Sequence, residues 1–595
     1  MKMNELNEQL NSTQKELQEI NAFCDRIGRI KMMLFLLAGL LSLYNYGRPF
    51  GIVWGIVIVL AVFIIILMVM HSKRNKHRRF LQAKSQVIQN YVKRGAGNWK
   101  DFECTGEEYL TEESYVERDL DILGEKSLYQ YLCVANTIQG RKTLAAYLTK
   151  QGVSLQTIQE RNEAVQELVD NTEFRIRFET HGYQNREKSR DRNEDWYYNF
   201  LDGSEGFISS RSLLCNLLGF LPLVGLLTIP LSMIYSAGYY ALILILALQL
   251  ALAYFFSCKY RNEINITESF CRGLDDIIEM VECINKEDFT SELLSNMKKE
   301  MNSQADMLTG IRRLSKINEG FSLRRNVYVH ILLQLLFMHD LQYINKLRKW
   351  KKIYSNNFKK LFAIIGEIEA LLSLGVVVLN HEVCFPQMSE SDKPVFAAEE
   401  LYHPLIDTDK VVANSIEATK GINIISGSNM SGKSTFMRTV GINIVLAYAG
   451  APVCAKSMNL SQMNICTCMR VTDDVFMGKS SFYAEVLRIK TIVDAAKEKK
   501  PIIAIIDEIF KGTNSIDRVT GAKEIVKQLD KSNVMLWVST HDLEICSLIE
   551  NGEVQGNNYH FMEHYDNKQI LFDYKIKEGK CMSRNAKYIL KMVGL

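Results

Sequence analysis

At 595 residues the chain is long enough for about four structural units at roughly 150 residues each, and 47% of it is hydrophobic. Lys and Arg (71) nearly balance Asp and Glu (68), and the resulting net charge of +3 is too near neutral to name a partner. Thirteen cysteines form no CxxC pair. Cys466 and Cys468 lack the second half of a zinc site, so reduced thiols are expected.

Residues 1–31 carry Leu6, Leu10, Leu17 and Ile20 at helical spacing and predict a cytoplasmic amphipathic helix rather than a removable signal. Residues 32–70 predict a first transmembrane hairpin. Met32 to Tyr46 is apolar, Asn45 to Pro49 (NYGRP) makes a polar turn, and Gly51 to Met70 is uncharged over the length a spanning helix needs. The cations of His71–Arg79 (HSKRNKHRR), with Arg26, Arg29 and Lys31, place both ends in the cytoplasm. The same run is suited to anionic lipid head groups, although its topological role accounts for it.

Residues 71–211 and 259–395 are expected as two parts of a helical core, separated by a second transmembrane hairpin over 212–258. Its arms are Ser212 to Tyr235, kinked at Pro222 and Pro230, and Tyr239 to Cys258, with Ser236, Ala237 and Gly238 as the turn. Arg211, Lys259 and Arg261 again set the ends inside, which predicts a multi-pass protein of the cell (inner) membrane with cytoplasmic soluble domains. Lys346 to Lys360 (KLRKWKKIYSNNFKK) interleaves cations with Trp350, Tyr354 and Phe358. Such a stripe could neutralise phosphates and stack on bases, but a core helix with aromatics inward and lysines in water is the stronger reading.

Residues 396–595 carry the chemistry. A β-branched run, GINIIS, leads into Gly427, Ser428, Asn429, Met430, Ser431, Gly432, Lys433, Ser434 and Thr435, and Lys433 to Ala449 has helical apolar spacing. Strand, glycine loop and helix are the context of an ATP-binding phosphate loop. Backbone amides and the helix N-terminus would hold phosphates, Lys433 would add positive charge, and Ser434 would ligate magnesium. Pro501 to Arg518 ends an apolar strand in Asp507, placed to hold magnesium, and Glu508, placed to take a proton from the attacking water. A further strand, VMLWVSTHDLEI, ends at Thr540 and His541, where a histidine could contact the γ-phosphate or the water.

With these residues the chain resembles the MutS family, whose ATPase is of the ABC class. LYHPLI, SGSNMSGKSTFMRTVG, DDVFMGKSSFYAEVLRIKTIV, DEIFKGTNSID and STHDLEI resemble its motifs in order from Tyr402 to Leu595. Asp119 to Leu148 and Ile365 to Gly375 resemble, more weakly, the start and return of its helical core. Ser431 stands where the family loop usually has glycine. The resemblance implies an α/β ABC-type P-loop ATPase domain following an all-α lever region, to which two transmembrane hairpins are added. It also implies a homodimer with composite sites, in which Ser480 or Ser481 senses the γ-phosphate on the opposite chain.

The departures concern the substrate. Mismatch-recognising members wedge a phenylalanine beside a glutamate into DNA, whereas the Phe-x-Glu here, Phe561 to Glu563, follows the ATPase motifs and reads as part of a strand hairpin. No mismatch-recognition domain is expected ahead of the core. The leading expectation is a membrane-anchored ATPase of this family, DNA-binding in mismatch repair or recombination by resemblance. The alternatives are an ATP-driven membrane scaffold for other proteins and a transporter-like protein. GKSSF, where transporters carry a glycine-rich signature, argues against the last.

Overall fold

The computed structural model describes residues 3–47, 51–188, 200–201, 235–303, 306–379, 381–418, 421–470, 481–498, 500–510, 514–566 and 569–581, with five more between 224 and 230. Two long helices open the chain, α1 (Met3–Tyr44) and α2 (Ile52–Gly95). They lie side by side and antiparallel. His77 Nε2 stands 3.2 Å from Glu16 Oε1, Arg74 lies over the Phe23 ring, and Ile20, Cys24 and Leu81 share a small apolar cluster. Neither helix breaks where the polar sequence becomes apolar, at 31/32 and 70/71. Their polar halves reach the protein core through Leu6, Ile88 and Tyr91, while the apolar halves stand free, with Phe35 69% and Val59 68% exposed.

Short helices α3 (Tyr115–Asp119) and α4 (Leu128–Leu132) lead to α5 (Ile138–Thr149), α6 (Leu155–Asp170) and α7 (Thr172–Lys188). The arm Ser212 to Tyr235 falls largely outside the described residues. Helix α8 (Ser236–Lys259) is apolar all round. Ser236, Ala237 and Gly238 form its first turn instead of a separate loop. Then come α9 (Arg261–Cys271), α10 (Leu274–Lys286), α11 (Glu292–Ser303), α12 (Asp306–Ser322), α13 (Val327–Phe337) and α14 (His339–Leu374).

By length and composition α1, α2, α8 and α14 could each cross a membrane, but burial divides them. The most apolar windows of the first three are 6%, 11% and 17% buried, against 78% for the α14 window, so α14 is a core helix. Its Trp350, Tyr354 and Phe358 point inward while Lys346, Lys349, Lys352 and Lys360 remain exposed. Lys351 is the exception, buried with its ammonium 4.4 Å from the Phe200 ring centroid. Helix α14 crosses α5 at contact distance, since a Cβ on Gly366 would stand 2.8 Å from the Gln139 carbonyl carbon and 2.9 Å from the Gly140 nitrogen. Buried Glu369 seals the crossing by accepting from the amides of Asn136 and Thr137, each at 3.0 Å, and from the Thr137 hydroxyl.

The described residues of the C-terminal region form two larger sheets and a two-stranded hairpin. In the smaller of the two sheets, β1 (Gln387–Ser389), β2 (Phe396–Leu401), β3 (Asn414–Ala418) and β5 (Ser457–Ser461) run in the order β1-β5-β2-β3. The larger contains β4 (Ile422–Ser426), β6 (Asn464–Cys468), β7 (Ile502–Asp507), β8 (Val534–Thr540), β9 (Gly556–His560) and β12 (Lys577–Glu578). Its order is β12-β9-β4-β8-β7-β6, parallel throughout except for β12. Strands β4 and β8 are buried along their full length, as continuous apolar runs in a covered parallel sheet must be. Helices α15 (Lys433–Ala449), α16 (Ser481–Ala495), α17 (Ser515–Gln528) and α18 (Leu543–Glu550) connect or flank the strands. Phe561 is buried 6.0 Å from the Phe436 ring, and Glu563 opens the hairpin of β10 (Glu563–Asp566) and β11 (Gln569–Phe572).

Candidate nucleotide site

Because β4, β8 and β7 are adjacent and parallel, their carboxyl ends open on one edge, the place where open α/β sheets bind ligands. Register pairs Ser426 with Thr540 and Asp507 with Ser539, which brings three separate sequence motifs together. The loop after β4 turns into α15 through Gly432, whose φ of +107° is a left-handed geometry that glycine adopts without strain. Lys433 is buried, and its ammonium donates to the carbonyls of Gly427 (3.0 Å) and Ser428 (2.8 Å). Ser431 donates to the Ser428 carbonyl at 2.8 Å, and the Ser428 hydroxyl donates to Glu563.

Ser434 Oγ donates to both carboxylate oxygens of Asp507, at 3.0 and 2.9 Å, and Ser539 Oγ donates to Asp507 at 2.5 Å. These are hard oxygen donors gathered beside a helix N-terminus, the chemistry that suits a divalent cation carrying phosphate. His541 bridges the loop to the acid pair. Its Nδ1 lies 2.7 Å from the Gly427 carbonyl, which can only accept, so Nδ1 carries a proton and Nε2 faces Glu508 Oε1 at 2.5 Å. Glu508 itself holds φ at +57°, a region a non-glycine residue occupies only when its surroundings impose it. Its amide donates to Ser539 Oγ at 3.1 Å.

A cavity of about 490 Å³ lies against this edge, within the range of small-molecule sites. Asn429 to Thr435 and Glu508 form its polar side, and His403, Ile406, Val411 and Tyr574 its less polar side. Burial lowers the His403 imidazole to a pKa of about 4, and its Nδ1 accepts from the Leu405 amide at 3.2 Å.

The structure thus brings together Gly427–Thr435, Asp507, Glu508 and His541. Ser480 lies outside the described residues, and Ser481 is present only as the backbone start of α16. That helix is tied to the site all the same. Glu485 accepts from the Phe510 amide at 2.5 Å, and the Phe482 and Phe510 rings are 5.4 Å apart. Farther along it, Arg488 donates to Asp119, which also accepts from the amides of Met469 (2.9 Å) and Arg470 (3.0 Å). Sequence reasoning missed Ser539, Glu563, Glu485 and the Asp119–Arg488 pair. Only Ser539 carried a local signal, its place beside Thr540 at the end of β8.

The fold defines an α/β domain joined to a helical region. Residues 423–595 match the family model described as MutS domain V. A DNA mismatch repair protein MutS from Aquifex pyrophilus is 31% identical over 239 residues, which is 39% of this chain and 27% of that protein. The corresponding protein of Clostridium kluyveri (strain ATCC 8527) is 30% identical over 244 residues, with the same two shares. That of Streptococcus pyogenes serotype M1 is 27% identical over 257 residues, 42% of this chain and 30% of the relative. The likeness to the MutS family lies in the C-terminal region, and the match spans less than a third of the length of these relatives.

Proposed function

We propose that this chain is a membrane-anchored ATPase of the MutS type, of ABC-type P-loop architecture, in which ATP binding closes a homodimer and hydrolysis reopens it. The observation that carries the reading is the linked set Ser434–Asp507–Ser539 and Gly427–His541–Glu508 at the mouth of the glycine loop. An incoming triphosphate competes with the Gly427 and Ser428 carbonyls for the Lys433 ammonium and takes the loop amides and the α15 dipole as its remaining partners. Ser434 and Asp507 would hold magnesium, whose role when bound is to neutralise charge on the β and γ phosphates. Displacing His541 from Glu508 frees that carboxylate to accept the proton of the attacking water, a contribution of about 10²–10⁴ in rate.

The exposed apolar surfaces of α1, α2 and α8 support insertion in a bilayer, with the ATPase on the cytoplasmic side. DNA as the load rests on the relatives, which are named DNA mismatch repair proteins. A protein load is the second reading, favoured by the inward turn of Trp350, Tyr354 and Phe358, which removes a base-stacking face from α14.

The test is phosphate release by the purified full chain with ATP and magnesium. Lys433→Ala is expected to lose nucleotide binding, and Glu508→Gln to bind ATP while turning over about 10²-fold or more slower. Wild-type turnover by Glu508→Gln would remove it as the general base, and absence of hydrolysis by the unaltered protein would sink the reading.

A further inference from the structure

Helix α13 (VYVHILLQLLF) contains no acid, lysine or arginine, yet much of it lies at the surface. Tyr328 is 87% exposed, Val327 64%, Leu332 56% and Phe337 50%. A contiguous apolar face of this kind marks an interaction surface. The opposite side is polar and pinned. His330 Nε2 lies 3.3 Å from both oxygens of buried Asp340, and Gln334 Nε2 lies 2.9 Å from His330. Ser257 of α8 donates to Asp340 at 2.8 Å, and Arg324 donates to Ser257 at 3.0 Å.

This pin fixes α13 against the C-terminal end of α8, where Met338 and Leu341 pack on Leu252 and Phe256. There the exposed apolar surface of α8, with Tyr254 74% and Phe255 57% exposed, gives way to the exposed cations Lys259 and Arg261. At 11 residues, α13 is about 16 Å long, roughly half of what a span requires. Its first amides are satisfied, since Asn326 Oδ1 accepts from Tyr328 (3.1 Å) and Val329 (3.3 Å), as a lipid-facing helix end demands.

We propose that α13 is a lipid-immersed helix of the cytoplasmic leaflet, lying beside α8 with its apolar face among acyl chains and the Lys259 and Arg261 cations at the anionic head groups. The inference rests on the membrane reading of α8 and adds a third kind of membrane element to the two hairpins. The occupant is lipid rather than protein because α13 packs directly beside α8, whose exposed apolar surface ends at the Lys259 and Arg261 cations.

Full-length protein carrying the photo-crosslinker p-benzoylphenylalanine in place of Leu332 is reconstituted in nanodiscs of phosphatidylethanolamine and phosphatidylglycerol, irradiated and analysed by mass spectrometry. Replacement at Leu244 on α8 reports the span, and replacement at Lys352 on α14 reports water. Phospholipid adducts at 332 and 244 with no adduct at 352 are the expected result. An adduct at 244 without one at 332 overturns the proposal and leaves the membrane reading standing, as does a crosslink from 332 to a second copy or to residues 202–234. Absence of adducts at both 332 and 244 removes the membrane reading and this proposal together.

Discussion

His403 shows how a single buried group sets a condition on the cavity beside the glycine loop. Desolvation holds its imidazole at a pKa of about 4, below the ordinary 6.5, while neighbouring Asp121 and Arg438 act in opposite senses. A lowered folded pKa means that the unfolded chain binds more protons in this range. The stabilisation is therefore complete above pH 6.5 and is lost as pH falls toward 4, to a limit of about 3 kcal/mol for this residue. His381, also lowered to about 4 by burial, adds in the same direction. Thermal melting of the detergent-solubilised protein should fall more between pH 7 and pH 5 for the wild type than for His403→Asn, which keeps an acceptor for the Leu405 amide. Equal falls in the two proteins would remove His403 from the account.

At the scale of elements, α14 illustrates how one helix can be read three ways. Its composition would allow a membrane span, its cations a phosphate-binding stripe, and its periodicity a core helix. Close packing decides for the core, because the backbone approach at Gly366 and the sealed carboxylate of Glu369 leave no room for lipid or bases on that face. What remains for a polyanion is the exposed row Lys346, Lys349 and Lys352. If DNA is the load and this row touches it, reversing these three to Glu should weaken binding and flatten the dependence of log K on log salt by about 0.9 for each DNA phosphate no longer neutralised. Unchanged DNA affinity and salt slope, measured by fluorescence anisotropy, would clear α14 of that role.

For the whole molecule, the largest apolar cluster runs from the helical region into one face of the C-terminal sheets, while a second cluster fills the other face of the larger sheet. Leu120 fits against α15 at Gly441, Gln151 and β6 exchange hydrogen bonds at Ile465 (2.9 and 3.1 Å), and Asp119 clasps Arg488 of α16. If a partner chain engages a nucleotide at α16, a displacement of that helix would reach the helices that lead to α2. If the sites are composite, mixing equal amounts of Lys433→Ala chains with Ser480→Ala/Ser481→Ala chains should restore about a quarter of the wild-type ATPase rate. Half of random dimers are then mixed, and each of these has one intact site. No gain over the separate variants would place each site within one chain.

The local pattern in the sequence determined much of the nucleotide region. The run GINIIS, the glycines and the apolar spacing after them predict strand, loop and helix, and the helix spans Lys433–Ala449 as that spacing does. Apolar length likewise marked Gly51 to Met70, and aromatic spacing marked the inward face of Trp350, Tyr354 and Phe358. These features depend on neighbours within a few residues, which is why a linear pattern carries them. The tertiary structure alone decided that Ser539 joins Ser434 on Asp507, that His541 bridges Gly427 to Glu508, and that α13 is pinned by Asp340 to α8. It also decided that Asp119 closes on Arg488, 369 positions away. Such pairings follow from strand order and helix crossing, and residues so far apart in the chain leave no local periodicity by which to be matched.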